Sequence, residues 1–484
     1  MKKLSLLLAL LMLASSLAGC SDAGTDAETP AADTTAAETE PVETAIPDDL
    51  PDMDYGGADY RVYTRNCCAS HADGVYMPEQ TGDVVSDAVY QRNLTIEERF
   101  NIKFSEPILA PDAEATDLNN AVQAGDDMCE VAVWHYKHLG DSAAAGYLAD
   151  MSTAGYIGFE KPWWYQKVND AYSIGGRAYV IVGMYDLDNY YDNVCVYFNK
   201  ELMINLTGDD DLYSVVKEGK WTIDKVEELG TLAAADLDGD GSMDFEKDQF
   251  GYGQAFGYSF VYQFAWEQPI TSRDSDGYPV DAINTERMIT IFDTLKSFFA
   301  SEYVVLDETG IPGGNAFKEG RELLQMDSLK SSSTTYRDME QDFGILPVPK
   351  LDESQTEYYT HATAHTSAVG IPVVKNEEGL QYASLILEAM AAEGYKQIRP
   401  AVYEVALKSK YTRDEASYEM IDIVVQGRTA DFAEIYDKWG FTYTLDHMAR
   451  GNVKEWASYY ASNTKTQNKN IDDVVQLFKA LEEN

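Results

Sequence analysis

Apolar positions along the chain follow two different periods. Short runs rich in β-branched and aromatic residues, at 60–63, 129–134, 178–182, 194–198, 343–348 and 369–374, read as strands. Segments whose apolar residues return every three or four positions, at 87–100, 222–235, 286–301, 317–325 and 377–393, read as helices. Thr222 stands in capping position with Asp224 in the first turn, and the 377–393 helix gathers Tyr382, Leu385, Ile386, Ala389 and Met390 on one face. From residue 414 the tail is mostly helical. Strands alternating with helices predict an α/β fold with a largely parallel sheet, and no internal repeat is present.

The N-terminus has a different texture. Lys2 and Lys3 precede an almost unbroken apolar run over 4–13, followed by Leu17-Ala18-Gly19-Cys20. A basic flank, a short apolar core and small residues make an export signal, because a spanning helix needs about twenty apolar residues. The stretch 1–20 resembles the bacterial lipoprotein signal peptide with its lipobox. That resemblance implies cleavage before Cys20, a diacylglycerol thioether on its sulfur and acyl lipid such as palmitate. No later stretch is long and apolar enough to cross a bilayer. Residues 21–54 carry eleven acidic side chains and no Lys or Arg, so they read as a disordered, self-repelling acidic linker.

From residue 55 onward, 35 basic side chains face 71 acidic ones. That balance excludes nucleic acid as a partner and disfavours adhesion to anionic lipid, leaving the lipid anchor as the membrane attachment. About 430 residues remain, enough for two domains. Cys67, Cys68, Cys129 and Cys195 show no spacing that fixes a disulfide framework and read as small core or loop residues.

Four segments carry a family resemblance: Asp127-Met128-Cys129-Glu130-Val131-Ala132-Val133-Trp134; Tyr197-Phe198-Asn199-Lys200-Glu201-Leu202; Gly219-Lys220-Trp221-Thr222; and Phe343-Gly344-Ile345-Leu346-Pro347-Val348-Pro349-Lys350. In this order, behind a lipoprotein signal, they resemble the extracellular solute-binding proteins of ABC importers, in the maltose and multiple-sugar branch. The resemblance implies a two-lobed periplasmic-binding-protein-like fold of type II with a hinge between the lobes. It places lobe one at 55–191 and 336–395, and lobe two at 192–335 and 396–484. It further implies a monomer that binds a sugar and delivers it to an ABC permease in the membrane, without catalysis.

Several residues offer binding chemistry. Trp134 ends an apolar strand, where ligands of open α/β sheets sit, and its indole presents a stacking face for a sugar ring. Tyr136 follows it. Tyr185, Asp186, Tyr191 and Asp192 lie in a polar-aromatic stretch at the expected hinge, where carboxylates accept hydrogen bonds from hydroxyls. The resemblance adds that Asp192, seven residues before Asn199, matches an acidic ligand-contacting position. Trp266 completes the candidate ligand set. A solvated polar loop and a core tryptophan are the plainer alternatives.

The segment Asp236-Leu237-Asp238-Gly239-Asp240-Gly241-Ser242-Met243-Asp244 spaces its carboxylates like an EF-hand or dockerin calcium loop, with Asp248 beyond. Lys247 stands where the twelfth, acidic ligand is expected, so a plain acidic turn is the alternative. Any calcium here is structural, because no nucleophile or acid/base partner adjoins it. Trp163-Trp164 read as a buried or lobe-surface pair. His361 and His365 lack the helical Glu of a zinc site. Asp327 and Arg337 fall near the expected crossing between lobes. A surface glycan-degrading enzyme remains a competing class, requiring two acids facing each other across the sugar. A non-transport glycan-binding or adhesive surface protein is a third.

Overall fold

The computed structural model describes residues 46–65, 71–110, 115–307, 316–363, 366–406, 415–436 and 440–482. The signal segment with Cys20, residues 21–45 of the acidic linker, Cys67, Cys68 and His365 lie outside them, whereas 46–54, expected as disordered linker, is held against the body by ion pairs of Asp48 with Arg99 and of Asp49 with Lys161. Residues from Asp48 onward form one compact unit. No helix among the described residues is long and apolar enough to cross a membrane.

Two sheets organise that unit. In the first, β2 (Val62–Thr64) runs parallel to β4 (Ile108–Leu109) and to β5 (Val131–His135), and β13 (Ser367–Gly370) closes the far edge antiparallel to β5. The short pair β1 (Ala58–Tyr60) and β3 (Ile102–Phe104) is parallel. The second sheet has the order β10 (Val304–Asp307), β7 (Phe250–Ala255), β11 (Glu322–Ser328), β6 (Val194–Asn199), β12 (Phe343–Leu346). There β10, β7 and β11 are parallel, and β6 runs against both of its neighbours. A hairpin of β8 (Thr271–Arg273) and β9 (Pro279–Asp281) stands apart.

The expected parallel sheets are therefore mixed, for a topological reason. Parallel neighbours are joined by helical crossovers, whereas β6 and β13 follow segments that pass from one sheet to the other and so enter from the opposite end. Three such segments lie side by side. Val194 N–H donates to His361 O at 3.0 Å and Thr363 N–H to Asp192 O at 2.8 Å. Thr360 N–H donates to Gly427 O at 3.0 Å, and Thr429 N–H returns to Thr360 O at 2.9 Å. The result is a three-stranded ribbon joining the sheets.

This ribbon relocates one expected boundary. Phe343–Leu346 pairs with β6, so the chain stays with the second sheet well beyond residue 336 and crosses near 360–363. The tail also serves both sheets. Helix Arg399–Ala406 packs on helix Val84–Phe100 of the first, and Glu415–Gln426 packs on β12 of the second.

Local chemistry accounts for the elements. Helix Val84–Phe100 starts at Asp83, whose carboxylate accepts from the N–H groups of Val85 and Ser86. Helix Glu377–Glu393 has the expected bounds and is capped by Asn376. Thr222 is the cap residue of helix Ile223–Ala233, but its hydroxyl makes no cap bond. Two segments differ in kind. Residues 178–182 make only an isolated bridge, Ile181 to Val369 on β13. The span 317–325, read as helix, is interrupted by Gly320 at φ +78°, and Glu322–Ser328 is a strand of the second sheet flanked on both sides. A strand buried on both faces loses its polar alternation, so its apolar spacing mimics a helix.

Candidate functional site

Both sheets point functional strand ends at the ribbon. In the first sheet the carboxyl ends of β2 and β5 bring up Arg65 and His135, and β13 starts beside them, with Ser367 opposite His135. In the second sheet the carboxyl end of β11 pairs with the start of β6, Ser328 opposite Val194. Open α/β sheets bind ligands beyond such carboxyl ends.

Where the ribbon begins, the short helix Asp188–Tyr191 and its flanks place three aspartates in the interior. Asp186, Asp188 and Asp192 are all buried. Asp186 Oδ1 accepts from Asp188 N–H at 3.2 Å. Asp186 Oδ2 and Asp192 Oδ2 have no hydrogen-bond partner among the described residues. Burial, reinforced by the Asp188 charge, pushes Asp186 up to about 8. Burial and Asp188 likewise push Asp192 up to about 7, against the opposing pull of Lys330, Arg428 and Arg65.

Cations from three elements surround these acids. Arg65 Nη2 donates to Ser367 Oγ at 3.1 Å. Arg428, on the third ribbon segment, donates from Nη2 to Thr366 Oγ1 at 2.7 Å and from Nη1 to Asn189 O at 3.3 Å. Its guanidinium stacks 4.6 Å over the Tyr165 ring, whose hydroxyl donates to the same Asn189 carbonyl. Lys330 arrives from the turn after β11.

On the second sheet, Asp327 near the end of β11 gathers donors. Tyr258 Oη donates to Oδ1 at 2.9 Å, Tyr336 Oη to Oδ2 at 3.0 Å and Ser328 N–H to Oδ1 at 2.7 Å. Burial raises its carboxyl against those bonds.

The expected ligand residues are less exposed than an open binding face requires. Trp134 is wholly buried and stacks on Tyr63 at 5.2 Å and 22°, and its Nε1 has no partner among the described residues. Tyr136 is buried between His135 and Tyr172. Tyr185 is buried beside Trp164 and donates to Ile181 O at 3.3 Å. Trp266 belongs to the helical layer of the second sheet, where its Nε1 donates to Pro349 O at 2.8 Å and Tyr262 packs on it. Asp186 and Asp192 thus share a polar cluster, and Tyr191 lines a cavity of about 520 Å³ between the start of helix Val84–Phe100 and the segment 332–338 that carries Arg337. Such a volume is in the range of small-molecule sites, about 300–1,000 Å³.

Arg65, Lys330, Arg428 and Tyr258 were not singled out from the sequence. Arg65 lies two residues past the first expected strand, 60–63, and directly after the observed β2, so the strand-end rule that picked Trp134 also reaches it. Arg428 comes from the tail, and no local pattern marks it.

The remaining motifs have separate roles. Trp163 and Trp164 donate their indole N–H groups to the two oxygens of the buried Glu388, at 2.7 and 2.8 Å. His361, on the ribbon, places Nε2 at 2.6 Å from Glu434 Oε2. Cys129 and Cys195 are buried free thiols.

In the acidic loop, oxygens of Asp236, Asp238 and Asp240 lie within 4.8 Å of one another at the surface. Gly239 and Gly241 take φ of +73° and +83° and donate to the Asp236 carboxylate at 2.7 and 2.8 Å. Asp248 accepts from the N–H groups of Leu237 and Asp244, closing the loop. Lys247 pairs with Asp238 at 3.4 Å and Asp244 at 3.3 Å, the place of the missing twelfth ligand. Three converging carboxylates suit a hard cation, and all five acids also accept hydrogen bonds from N–H groups of the loop itself.

No protein-family model matches the chain, and no curated protein does. Among solved structures, a cyclo/maltodextrin-binding protein complexed with maltotetraose superposes with a TM-score of 0.53 at 13% identity, covering 88% of this chain and 97% of that one. The likeness is one of fold, a two-lobed α/β architecture of type II.

Proposed function

We propose that the chain is an extracytoplasmic solute-binding receptor that captures a neutral sugar or oligosaccharide between its two sheets and delivers it to an ABC permease. The observation that carries the reading is Asp192. It sits on the ribbon joining the sheets, facing cations from both, with a buried oxygen that no group among the described residues satisfies. A buried acceptor left unpaired costs about 1–3 kcal/mol, and a solute hydroxyl would remove that cost. The shared fold supports the same reading, since the matched protein is described with maltotetraose bound. In the competing reading as a glycan-degrading enzyme, the raised carboxyl of Asp192 acts as an acid. The three aspartates lie on one short segment instead of facing each other across a sugar, which favours binding over hydrolysis.

A thermal-shift screen of the purified chain against mono- and oligosaccharides tests this. A ligand at a hundred times its dissociation constant adds about 2.7 kcal/mol. Shifts without product support the receptor; sugar cleavage supports the enzyme. The proposal includes a lipid on Cys20 as the sole membrane attachment, and Cys20→Ser should then move the protein out of the membrane fraction. It also includes a structural calcium held by Asp236, Asp238 and Asp240. Calcium should raise the melting temperature of chelator-treated protein, and Asp240→Ala should abolish the rise. An unchanged melting curve in millimolar calcium would leave the loop an acidic turn closed by Lys247.

A further inference from the structure

We infer that the two lobes are clasped together outside the ribbon, by the β8–β9 hairpin and the helical tail, so that solute enters a cleft of fixed width without rigid-body closure. The solute rests on the receptor reading above; the clasp stands without it.

The hairpin is rooted in the second lobe. It leads into helix Glu286–Phe298, which packs on β7 through Phe298 and Tyr252 at 5.1 Å. Its tip nevertheless reaches the first lobe. There, residues 173–177 follow helix Gln166–Tyr172 and run on to Ile181, which bridges to Val369 on β13. Gly175 N–H in that stretch donates to Gly277 O, at the hairpin turn, at 3.2 Å. Arg273 Nη2 donates to the Ala171 carbonyl of the same helix, and its guanidinium stacks 4.8 Å over the Phe432 ring.

The tail fastens both sides. Asp431 is buried at the base of the hairpin, where its carboxylate accepts from Ile270 N–H at 2.9 Å and from Thr271 N–H at 3.0 Å. It also accepts from Ala433 N–H in helix Phe432–Tyr436, which packs on helices Tyr136–Ala144 and Gln166–Tyr172 of the first lobe. A Cβ at Gly140 would collide with the Ile435 carbonyl, so these helices meet at backbone distance. Helix Trp456–Glu482 spans the joint lengthwise. Tyr460 and Gln467 donate to Asp281 on β9, whereas Phe478 packs on Tyr179 of the first lobe at 5.3 Å. Near its end Glu482 accepts from the Tyr278 hydroxyl of the hairpin at 2.8 Å.

Rotation about the ribbon would leave ribbon contacts in place and separate those away from it. Here it would break backbone and carboxylate bonds and part a buried aromatic seam at the same time. Domains move freely against each other where the interface between them is small or polar, and this one is neither.

Hydrogen exchange resolved to single residues, on the full chain without solute, tests the clasp. The Gly175, Ile270 and Thr271 amides, which donate across the joint, should exchange as slowly as those of β5 and β6. Arg273→Ala should speed exchange at Gly175 by about tenfold or more and leave β5 and β6 unchanged. Tyr278→Phe removes only the hydroxyl bond to Glu482, and should speed Gly175 in the same direction should Arg273→Ala fold poorly. Small-angle scattering should give one radius of gyration with and without the best oligosaccharide of the screen. Loop-rate exchange in wild type, unchanged Gly175 exchange in both variants, or a radius that falls on binding overturns the inference. If no oligosaccharide binds, the receptor reading fails while the exchange rates still decide the clasp.

Discussion

Replacing Trp134 by alanine should destabilise the protein strongly before any solute is added. The indole is wholly buried at the end of β5, opposite Ala368 and stacked on Tyr63 at 5.2 Å. Truncating a buried tryptophan costs about 3–5 kcal/mol through lost transfer energy and the cavity left behind. Part of that is the stacked pair, worth about 0.5–1.5 kcal/mol beyond its area. Phenylalanine should behave differently. Nε1 has no partner among the described residues, so Trp134→Phe breaks no hydrogen bond there and removes a buried orphan costing about 1–3 kcal/mol. That gain offsets the smaller ring, leaving a net change of about 1 kcal/mol or less. Urea unfolding of the ligand-free protein measures both, as a shift of midpoint at constant slope. If Trp134→Ala unfolds at the wild-type midpoint, or Trp134→Phe falls as far as alanine, the core placement of this side chain is wrong.

Glu388→Ala should cost about 3 kcal/mol or more, since it strands the indole N–H groups of Trp163 and Trp164 and the Gly158 N–H, and Glu388→Gln should cost less; thermal unfolding compares them. Glu322 is wholly buried in the second sheet with both carboxylate oxygens unpaired among the described residues, and burial raises its carboxyl well above the usual range. A raised folded-state value means that its contribution to stability is present at low pH and lost as pH rises through that value. Glu322→Gln should therefore flatten the decline in melting temperature as pH rises above the ordinary glutamate range, and an unchanged pH profile would count against the neutral buried acid.

Much of the fold was legible because its elements keep one clean period. Helix Glu377–Glu393 buries a broad stripe and was bounded to the residue, and Phe343–Leu346 reads as a strand on either criterion. Legibility failed where burial is two-sided or where pairing is long-range. Glu322–Ser328 is flanked by strands on both sides, which hides its alternation. The boundary at 336 misplaced β12 because strand pairing with β6, over 140 residues away, leaves no local mark. The candidate site divides in the same way. Asp186 and Asp192 stood out as acids in an aromatic stretch, whereas Arg428 reaches them only through the third ribbon segment. Trp134, chosen for its strand-end position, and Trp266 are both buried in the core, whereas the half-buried ring at the end of the second sheet belongs to Tyr258.

The receptor reading depends on Asp192, and calorimetric titration of an oligosaccharide such as maltotetraose into wild-type protein and Asp192→Asn tests it most directly. The account predicts saturable one-to-one binding by wild type without product, and a loss of about tenfold or more in the variant, in line with the about 1–3 kcal/mol cost of leaving a buried acceptor unpaired. Equal affinity in the two proteins, or no binding heat with any neutral oligosaccharide, would contradict it.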